Sequence, residues 1–367
     1  MSEKPAGISA IEKLLVNFTI PAWLLDKNGN ILFLNDSMKE LFGDLAGQNA
    51  ALVYGDGVPM DGALSALPGG EGFVEVLLAD VPFRLAAVDV DLGGEGSYRV
   101  EYYEDISENR LLRENLLAEL AKVREETNTA KRIQRSILPA DGVYWEALAV
   151  NSLYLPADDL GGDFFDVLRV TEDEFLLYVA DVSGHGIRAS LLTVFMQERV
   201  RANAALASGG VNHLLGRLVN EFTALEIDGS IYVTMVVCLY DRGERTLSVA
   251  NAGHNCAPLI VRDNGRSESV QVRGMPISVI TEEDAFEEEI VIMKPGDRLL
   301  LYTDGIVEEM DTLTKKTFGP EGVRETAERL HAYDGKFLVH AIVEEAAKYS
   351  LLAAKDDRTI VAIDVLS

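Results

Sequence analysis

The chain has few cysteines and no long apolar run, and these shortages exclude several classes of protein. Two cysteines, Cys238 and Cys256, occur in 367 residues, which is too few for a disulfide framework and indicates a reducing compartment. No stretch approaches the roughly 18 consecutive apolar residues of a membrane span, and the first residues lack a basic region followed by an apolar core. We therefore expect a soluble cytoplasmic protein that is neither secreted nor bound to a membrane.

Positive charge is also scarce, because 33 Lys and Arg stand against 60 Asp and Glu, a net charge of −27. Contacts to nucleic-acid phosphates need a basic surface, so a nucleic-acid binder is excluded. A phosphorylated partner meets the same repulsion unless bound cations reverse the sign locally. The hydrophobic fraction of 48% is that of a folded chain, and the length suggests about two domains.

The first hundred residues predict a small antiparallel sheet with short helices. Strands are predicted at IPAWLLD, ILFLN, GFVEVLLA, PFRLAAVDV and SYRVEYYEDIS. The segment DSMKELFG predicts a short helix with Asp36 or Ser37 as its N-cap and Gly43 at its end. The two-strand opening and the ending EDISENR resemble a PAS domain, which is assigned to residues 1–107.

The ligand of this PAS domain is narrowed by what the segment lacks. No histidine precedes His185 and no cysteine precedes Cys238. A haem held by histidine and a photoreactive flavin-cysteine adduct therefore both lack their ligand. Two interpretations stay open: a ligand-free module for dimerisation or docking, and a domain that binds an unidentified small ligand or partner protein.

Residues 108–138 predict one long helix, since the segment contains no glycine and no proline. Its apolar seam runs along Leu116, Leu120, Val123, Thr127, Ala130 and Ile137, in steps of 4, 3, 4, 3 and 7 residues. Such a heptad seam predicts a parallel two-stranded coiled coil, and hence a homodimer through the linker and the PAS domain. The alternative is a plain spacer helix packed on its own domain.

Four carboxylate motifs in the remaining sequence stand next to runs of β-type apolar residues. They are GGDFFD (161–166), ADVSGHG (180–186), LLLYTDG (299–305) and DDRTIVAI (356–363). If their aspartates Asp163, Asp181, Asp304 and Asp356 come together, mutual repulsion must be offset by cations. Mg²⁺ and Mn²⁺ prefer such oxygen ligands, whereas the CxxC and HExxH motifs of zinc sites are absent.

The chemistry of such a cluster points to phosphate esters. Two divalent ions bridged by a carboxylate lower the pKa of a shared water and orient it for in-line attack at phosphorus. The sequence therefore predicts a hydrolase acting on a phosphate ester. We expect direct attack by the metal-bound hydroxide and no covalent phosphoenzyme.

In this order the motifs resemble the SpoIIE and RsbU branch of the PPM metal-dependent protein phosphatases, from IQRSILP (133–139) to the last strand. The resemblance implies a phosphatase domain over residues 139–367, with two antiparallel sheets packed face to face and helices outside. The predicted fold class is accordingly α+β: a PAS domain, a coiled-coil helical linker and a C-terminal αββα sandwich. The resemblance also implies a protein serine/threonine phosphatase with two Mn²⁺ or Mg²⁺ ions.

The ligands and catalytic residues are carried over onto matching positions. The resemblance implies metal ligation by Asp163, Asp181, the carbonyl of Val182, Asp304 and Asp356, with the four aspartates also catalytic. Asp181 would bridge the ions, and Asp163 would reach the first ion directly or through water. Close backbone approach near the ions is expected at Gly161, Gly162, Gly184 and Gly305.

The neighbouring polar residues allow more than one role. Asp357 is expected to be a supporting or turn residue, and Asp166 to cap or pair structurally. His185 is either a general acid or an exposed loop residue. His254, in the signature NAGHN, either supports the site as a hydrogen-bonded turn residue or transfers protons. An arginine that holds the substrate phosphate, as in many PPM phosphatases, has no evident equivalent here.

The resemblance further implies a substrate. It is a small phosphorylated anti-sigma-factor antagonist of the STAS type, dephosphorylated under control of the PAS domain through the helical linker. Two alternatives are a non-catalytic PAS/PPM scaffold that binds a partner, and a hydrolase of small phosphate esters.

Overall fold

The computed structural model describes residues 6–54, 73–78, 81–184, 186–227, 229–310, 316–349 and 356–367. The chain divides into two compact units, Met1–Val123 and Arg124–Ser367. This division falls inside a long helix, so the predicted domains 1–107, 108–138 and 139–367 stay a prediction. No helix within the described ranges combines the length and the apolar character needed to cross a membrane.

The first unit contains a five-stranded antiparallel sheet. Its strands are β1 Ala22–Asp26, β2 Ile31–Leu34, β3 Phe73–Leu78, β4 Val81–Asp91 and β5 Ser97–Asp105. They lie in the order β2-β1-β5-β4-β3. The helices are α1 Ala6–Leu15, α2 Asp36–Phe42 and α3 Ala51–Tyr54, with a 3₁₀ turn at Gly93–Glu95. The small antiparallel sheet with short helices is present, while its assignment as a PAS domain stays a prediction.

The N-terminal cap of α2 differs from the prediction. Asn35 is the cap, and the prediction of Asp36 or Ser37 was wrong. The Asn35 side-chain oxygen accepts hydrogen bonds from the backbone N–H of Met38 and of Ala22, each at 3.0 Å. The residue thus caps the helix and ties it to β1, and this second, long-range contact is invisible in the local sequence.

A single helix, α4 Ser107–Ile137, spans the segment predicted to be a linker helix. It starts and ends one residue earlier than the predicted range 108–138. The helix crosses the boundary between the two units. The structure contains one chain, so the pairing of α4 with a second copy stays a prediction.

The second unit is built on two antiparallel sheets. The strands are β6 Gly142–Tyr144, β7 Leu148–Leu155, β8 Asp163–Arg169, β9 Glu174–Val182, β10 Val233–Asp241, β11 Thr246–Ala252, β12 Leu259–Val261, β13 Ser267–Ser269, β14 Glu288–Ile292, β15 Arg298–Tyr302 and β16 Arg358–Val365. One sheet has the order β14-β11-β10-β9-β8, and the other has the order β13-β12-β15-β16-β7-β6.

The helices cover the outer faces of these sheets. They are α5 Ile187–Asn203, α6 Val211–Thr223, α7 Asp304–Val307, α8 Gly319–Arg329 and α9 Gly335–Ala347, with a 3₁₀ segment at Ala204–Gly209. Residues of α5 and α6 share a core with the first sheet, and residues of α7, α8 and α9 share one with the second. A third core joins the inner faces of the two sheets. The result is the helix-sheet-sheet-helix order predicted for this part of the chain.

Strand β9 illustrates why the central strands of this unit have continuous apolar sequences. Leu176, Tyr178 and Ala180 point to the core under α5 and α6. Leu177 and Val179 point to the core between the sheets. Because side chains alternate between the two faces of a strand, a strand covered on both faces needs apolar residues at nearly every position.

Candidate metal centre

The four predicted aspartates all lie at ends of strands. Asp163 is the first residue of β8 and Asp181 the last but one of β9, and the two are direct partners across the sheet. Asp304 opens α7 two residues after β15, and Asp356 stands two residues before β16. Because β15 and β16 are antiparallel neighbours, the end of one and the start of the other lie at the same edge. The two sheets thus each bring two aspartates to one edge of the sandwich.

Asp163 joins the two sheets. Its Oδ2 accepts hydrogen bonds from the hydroxyl of Thr303 at 2.8 Å and from the hydroxyl of Thr359 at 2.6 Å. Both threonines belong to the second sheet's edge, whereas Asp163 belongs to the first. Burial, and then the charge of Asp181, raise the pKa of Asp163 well above its ordinary value. The carboxylate is therefore fixed in place but electrostatically unfavourable as an anion.

The other aspartates also repel one another. Burial raises the pKa of Asp181 to about 7, with further contributions from Asp304 and Asp356. Burial and the charge of Asp304 raise the pKa of Asp356. The pKa of Glu308 is raised by burial and then by the same two aspartates. A concentration of negative charge of this kind is stabilised by cations.

The backbone at Gly162 leaves room for close approach. A Cβ at this position would lie 2.6 Å from the carbonyl oxygen of Val182 and 2.9 Å from Asp181 Oδ1. Only glycine is accommodated here, so the predicted close approach is present at this position. At Gly184 the expectation was wrong in its reason. A Cβ there would meet no atom of the described residues within 4 Å, and glycine is favoured instead by the φ of 93°.

The adjacent residues Asp356 and Asp357 have different surroundings. Asp357 Oδ1 accepts from the backbone N–H of Ala157 at 2.7 Å, and its Oδ2 accepts from that of Gly162 at 2.5 Å. Both oxygens of the Asp357 carboxylate therefore accept backbone N–H groups, which is the supporting role expected of this residue. Asp356 Oδ1 accepts a bond from the backbone of Asp357 at 2.8 Å. This geometry favours Asp356 as the ligand of the pair.

His254 links the two sheets near their shared edge. Its Nε2 lies 2.9 Å from the carbonyl oxygen of Tyr302 in β15, and its Nδ1 lies 3.2 Å from the hydroxyl of Thr234 in β10. A carbonyl can only accept, so Nε2 carries the proton and Nδ1 accepts from the threonine. Burial lowers the pKa of His254. The ring is neutral and both of its nitrogens are hydrogen-bonded, which favours the supporting role. His185 lies outside the described residues.

Asp166 pairs structurally, as predicted. Its Oδ2 accepts from Arg201 Nε at 2.7 Å, so it is committed to an ion pair and not to the aspartate cluster. The two cysteines are buried and free, in agreement with a chain that uses no disulfide.

Several residues of the site were not predicted from the sequence. Thr303 and Thr359 fix Asp163, Gln134 contacts the backbone beside it, and Glu308 adds a fifth carboxylate. A signal for the threonines is present in the motifs YTDG and DDRT, where Thr stands one residue before Asp304 and two residues after Asp357. No local signal distinguishes Gln134 from a surface glutamine.

The donor set fits a hard divalent ion. Among the residues that the structure describes, no three Asp, Glu, His or Cys side chains are arranged to hold an ion as they stand, so an ion would have to draw the carboxylates together. The groups at this edge are carboxylate oxygens and the Val182 carbonyl, and a Cβ at Gly162 would clash with that carbonyl. Oxygen ligands of this kind are those preferred by Mg²⁺ and Mn²⁺.

Comparison with known proteins agrees with this architecture. The chain is 25% identical over 187 residues to the phosphoserine phosphatase RsbP of Bacillus subtilis, covering 50% of this chain and 46% of that protein. It is 22% identical over 189 residues to the phosphoserine phosphatase RsbU of the same organism, covering 51% and 55%. The chain thus spans about half the length of these relatives.

A solved structure shows the same fold, and a family model identifies the family. The SiaA-PP2C domain of Pseudomonas aeruginosa has the same fold, with a TM-score of 0.57 and 21% identity over 67% of this chain and 98% of that one. The family model of stage II sporulation protein E (SpoIIE) matches residues 171–366. Because this match spans more than half of the sequence, the chain belongs to the SpoIIE family of PPM-type phosphatase domains.

Proposed function

We propose that the protein is a metal-dependent serine/threonine phosphatase that hydrolyses phosphoserine or phosphothreonine on a partner protein. One observation carries the proposal: the four aspartates Asp163, Asp181, Asp304 and Asp356, distant in sequence, lie at the same edge of the two sheets. The pKa of Asp163, of Asp181 and of Asp356 is raised there. Membership of the SpoIIE family supports the same chemistry.

The proposed ligands of two Mn²⁺ or Mg²⁺ ions are Asp163, Asp181, the carbonyl of Val182, Asp304 and Asp356. Such ions, when bound, supply an activated water and neutralise charge on the phosphate. The protein's own contribution is orientation. Thr303 and Thr359 hold Oδ2 of Asp163, which leaves the other oxygen of that carboxylate for an ion.

The electrostatics make the ions a requirement for substrate binding as well. A phosphorylated side chain that approaches the aspartate cluster meets like charge, and the whole chain carries a net charge of −27. Two divalent ions add a charge of +4 at this edge and reverse the local sign. The phosphate would therefore be held mainly by the ions, in line with the lack of an evident arginine for that purpose.

The proposed substrate is a phosphorylated protein. The relatives RsbP and RsbU are named phosphoserine phosphatases, which supports phosphoserine as the target. From the family resemblance we take the substrate to be a STAS-type anti-sigma-factor antagonist in a partner switch. The PAS domain would control this activity through helix α4 in a homodimer.

The test is phosphate release in the presence of Mn²⁺, from an aryl phosphate and from a phosphoserine-bearing STAS protein. Asp181→Asn and Asp304→Asn each remove a ligand and should lower kcat/KM roughly 100-fold or more, since metal-ion stabilisation of the transition state amounts to several kcal/mol. Asp284→Asn, on the exposed loop before β14, is the matched carboxylate-to-amide control and should retain wild-type activity. Removal of the ions with EDTA should abolish turnover.

The same experiment separates the alternatives. A wild-type protein that is inactive with Mn²⁺ and with Mg²⁺, yet binds the STAS protein, would be a non-catalytic scaffold. Turnover of the aryl phosphate without turnover of any phosphoprotein would indicate a hydrolase of small phosphate esters. Equal activity in the wild type and both ligand variants would refute the assigned metal site.

A further inference from the structure

The last turn of α4 carries a buried amide that contacts the backbone next to Asp163. Gln134 is 3% exposed, although its neighbours Arg135 and Ser136 are exposed. Its Nε2 donates to the carbonyl oxygen of Gly161 at 2.6 Å, and its Oε1 accepts from the N–H of Gly161 at 3.3 Å. One side chain therefore bonds both the backbone N–H and the backbone carbonyl of the buried Gly161.

The segment that Gln134 holds leads directly into the aspartate cluster. Gly162 follows Gly161, and its N–H donates to Asp357 while its carbonyl oxygen accepts from Thr193 Oγ1 on α5 at 3.2 Å. Asp163 comes next. The backbone in front of Asp163 is thus held by three elements far apart in sequence, and α4 is one of them.

The end of α4 is itself fixed to the same part of the fold. The carbonyl oxygen of Ile137 accepts from Gln197 Nε2 at 3.0 Å and from Arg201 Nη2 at 2.9 Å, both on α5. Arg201 also pairs with Asp166 of β8. Gln134 lies one turn before Ile137, so its amide is presented to Gly161 from a helix end that is already held in place.

Loss of the Gln134 amide would leave the Gly161 carbonyl and N–H without these bonds. A buried polar group without a partner is costly, so the backbone would shift toward water or another donor. Any such shift displaces Asp163 and alters the close approach of Gly162 to the Val182 carbonyl. Residues that orient metal ligands in this indirect way typically change metal affinity or activity roughly 10- to 100-fold when altered.

We propose that Gln134 is a positioning residue of the metal centre, which holds the Gly161–Asp163 backbone where Asp163 and the Val182 carbonyl can serve one ion. The proposal rests on the proposed function only for the presence of the ion. It assigns a role to the IQRSILP segment that the catalytic chemistry does not use. The final turn of α4 then contributes to the affinity of the centre for the metal ion.

The test is calorimetric titration of Mn²⁺ into the full chain, which needs no substrate. Gln134→Met conserves length and apolar volume but makes neither bond, and should weaken Mn²⁺ binding roughly 10-fold or more. Gln134→Glu keeps an acceptor for the Gly161 N–H but cannot donate to its carbonyl when ionised, and should also weaken binding. With saturating Mn²⁺, the kcat of both variants should return toward the wild-type value. At low Mn²⁺, their kcat/KM should stay below that of the wild type.

Two controls separate positioning from general destabilisation. Ser136→Ala alters an exposed residue whose hydroxyl bonds only within its helix, and should bind Mn²⁺ as the wild type does. Ile363→Val removes a methyl from the buried far end of β16 and lowers the melting temperature without touching the centre. It should leave Mn²⁺ affinity unchanged.

The outcomes are distinct from those of the phosphatase assay. Wild-type Mn²⁺ affinity in Gln134→Met, or in Gln134→Glu if the first variant does not fold, overturns the proposal while leaving the phosphatase assignment intact. An equal loss of affinity in Ile363→Val also overturns it. If the wild type binds Mn²⁺ and the Gln134 variants bind it weakly, the proposal holds even when no phosphoester is hydrolysed.

Discussion

Two chemically identical neighbours, Asp356 and Asp357, are given different tasks by their surroundings. The Asp357 carboxylate accepts backbone N–H groups from Ala157 and Gly162, and these bonds span about 200 residues of sequence. A carboxylate so engaged has little remaining capacity for an ion. For Asp356, one residue earlier, burial and then the charge of Asp304 raise the pKa.

At this scale the raised pKa of Asp181 leads to a prediction about the metal-free protein. The folded-state pKa is about 7, against an ordinary value of 3.8. Between these values the unfolded chain has lost the proton that the folded chain retains, so stability falls as the pH rises from about 4 to about 7. The contribution is at most about 4 kcal/mol. The burial of Asp163 acts in the same direction.

Thermal unfolding in EDTA at several pH values measures this effect. The melting temperature of the wild type should fall between about pH 4 and pH 7, and Asp181→Asn should flatten the dependence. Excess Mn²⁺ should raise the melting temperature more at the higher pH, because the ligands must be deprotonated to bind it. His254, whose pKa is lowered, contributes with the opposite sign, so the comparison with Asp181→Asn is the decisive one. Identical pH profiles for both proteins would contradict the assignment.

At the level of elements, helix α4 leaves the first three residues of its predicted seam exposed in the single chain. Leu116 is 60% exposed, and Leu120 and Val123 are each 56% exposed. Apolar side chains on a charged helix are stabilised when a second helix covers them. The exposure of this part of α4 favours the coiled-coil interpretation, with a second copy as the proposed partner. The last turn of α4 instead packs on its own domain through Gln134 and Ile137.

A double variant, Leu116→Lys with Leu120→Lys, should convert the dimer to a monomer, because two charges would then face their copies across the seam. Sedimentation equilibrium of the full chain measures the change. Leu111→Lys is the matched control, since Leu111 is 59% exposed and lies on the opposite side of the helix by the 3.6-residue period. A wild-type monomer at micromolar concentration, or a dimer that survives the double variant, would show that α4 is not the dimer interface.

At the scale of the whole molecule, the charge of −27 sets the encounter with any phosphoprotein. Part of that charge is the aspartate cluster, which two divalent ions would offset. The rest repels an acidic partner at long range, and salt screens this repulsion over a Debye length of about 8 Å at physiological ionic strength. Moderate salt should therefore speed substrate capture.

The measurement is kcat/KM for an acidic phosphoprotein at low and at physiological ionic strength, with Mn²⁺ kept saturating. We expect a rise of roughly two- to fivefold, as for association between surfaces of like charge. A phosphopeptide of net positive charge is the control and should show the opposite trend. A steep fall with salt for the acidic substrate would reveal a local positive surface that receives it.

Local sequence patterns predict the elements and the order of the motifs. Apolar runs such as that of β9 identified the strands, since a strand covered on both faces has few other solutions. The four aspartate motifs identified the family and the oxygen-ligand chemistry, because short acidic side chains beside apolar strands have few other uses. The N-cap of α2 was missed because Asn35 is selected partly by its bond to Ala22, far away in the chain.

The packing of the fold selects the side chains that support the candidate centre. Thr303 and Thr359 fix Asp163 from the opposite sheet, and Gln134 reaches Gly161 across 27 residues of sequence. Hydrogen bonds of this kind depend on where the sheets and α4 come to lie. The motifs YTDG and DDRT contain the two threonines, but no local pattern identifies the partners that they bind. Short motifs thus predict the candidate ligands, whereas the orientation of these side chains is a property of the packed fold.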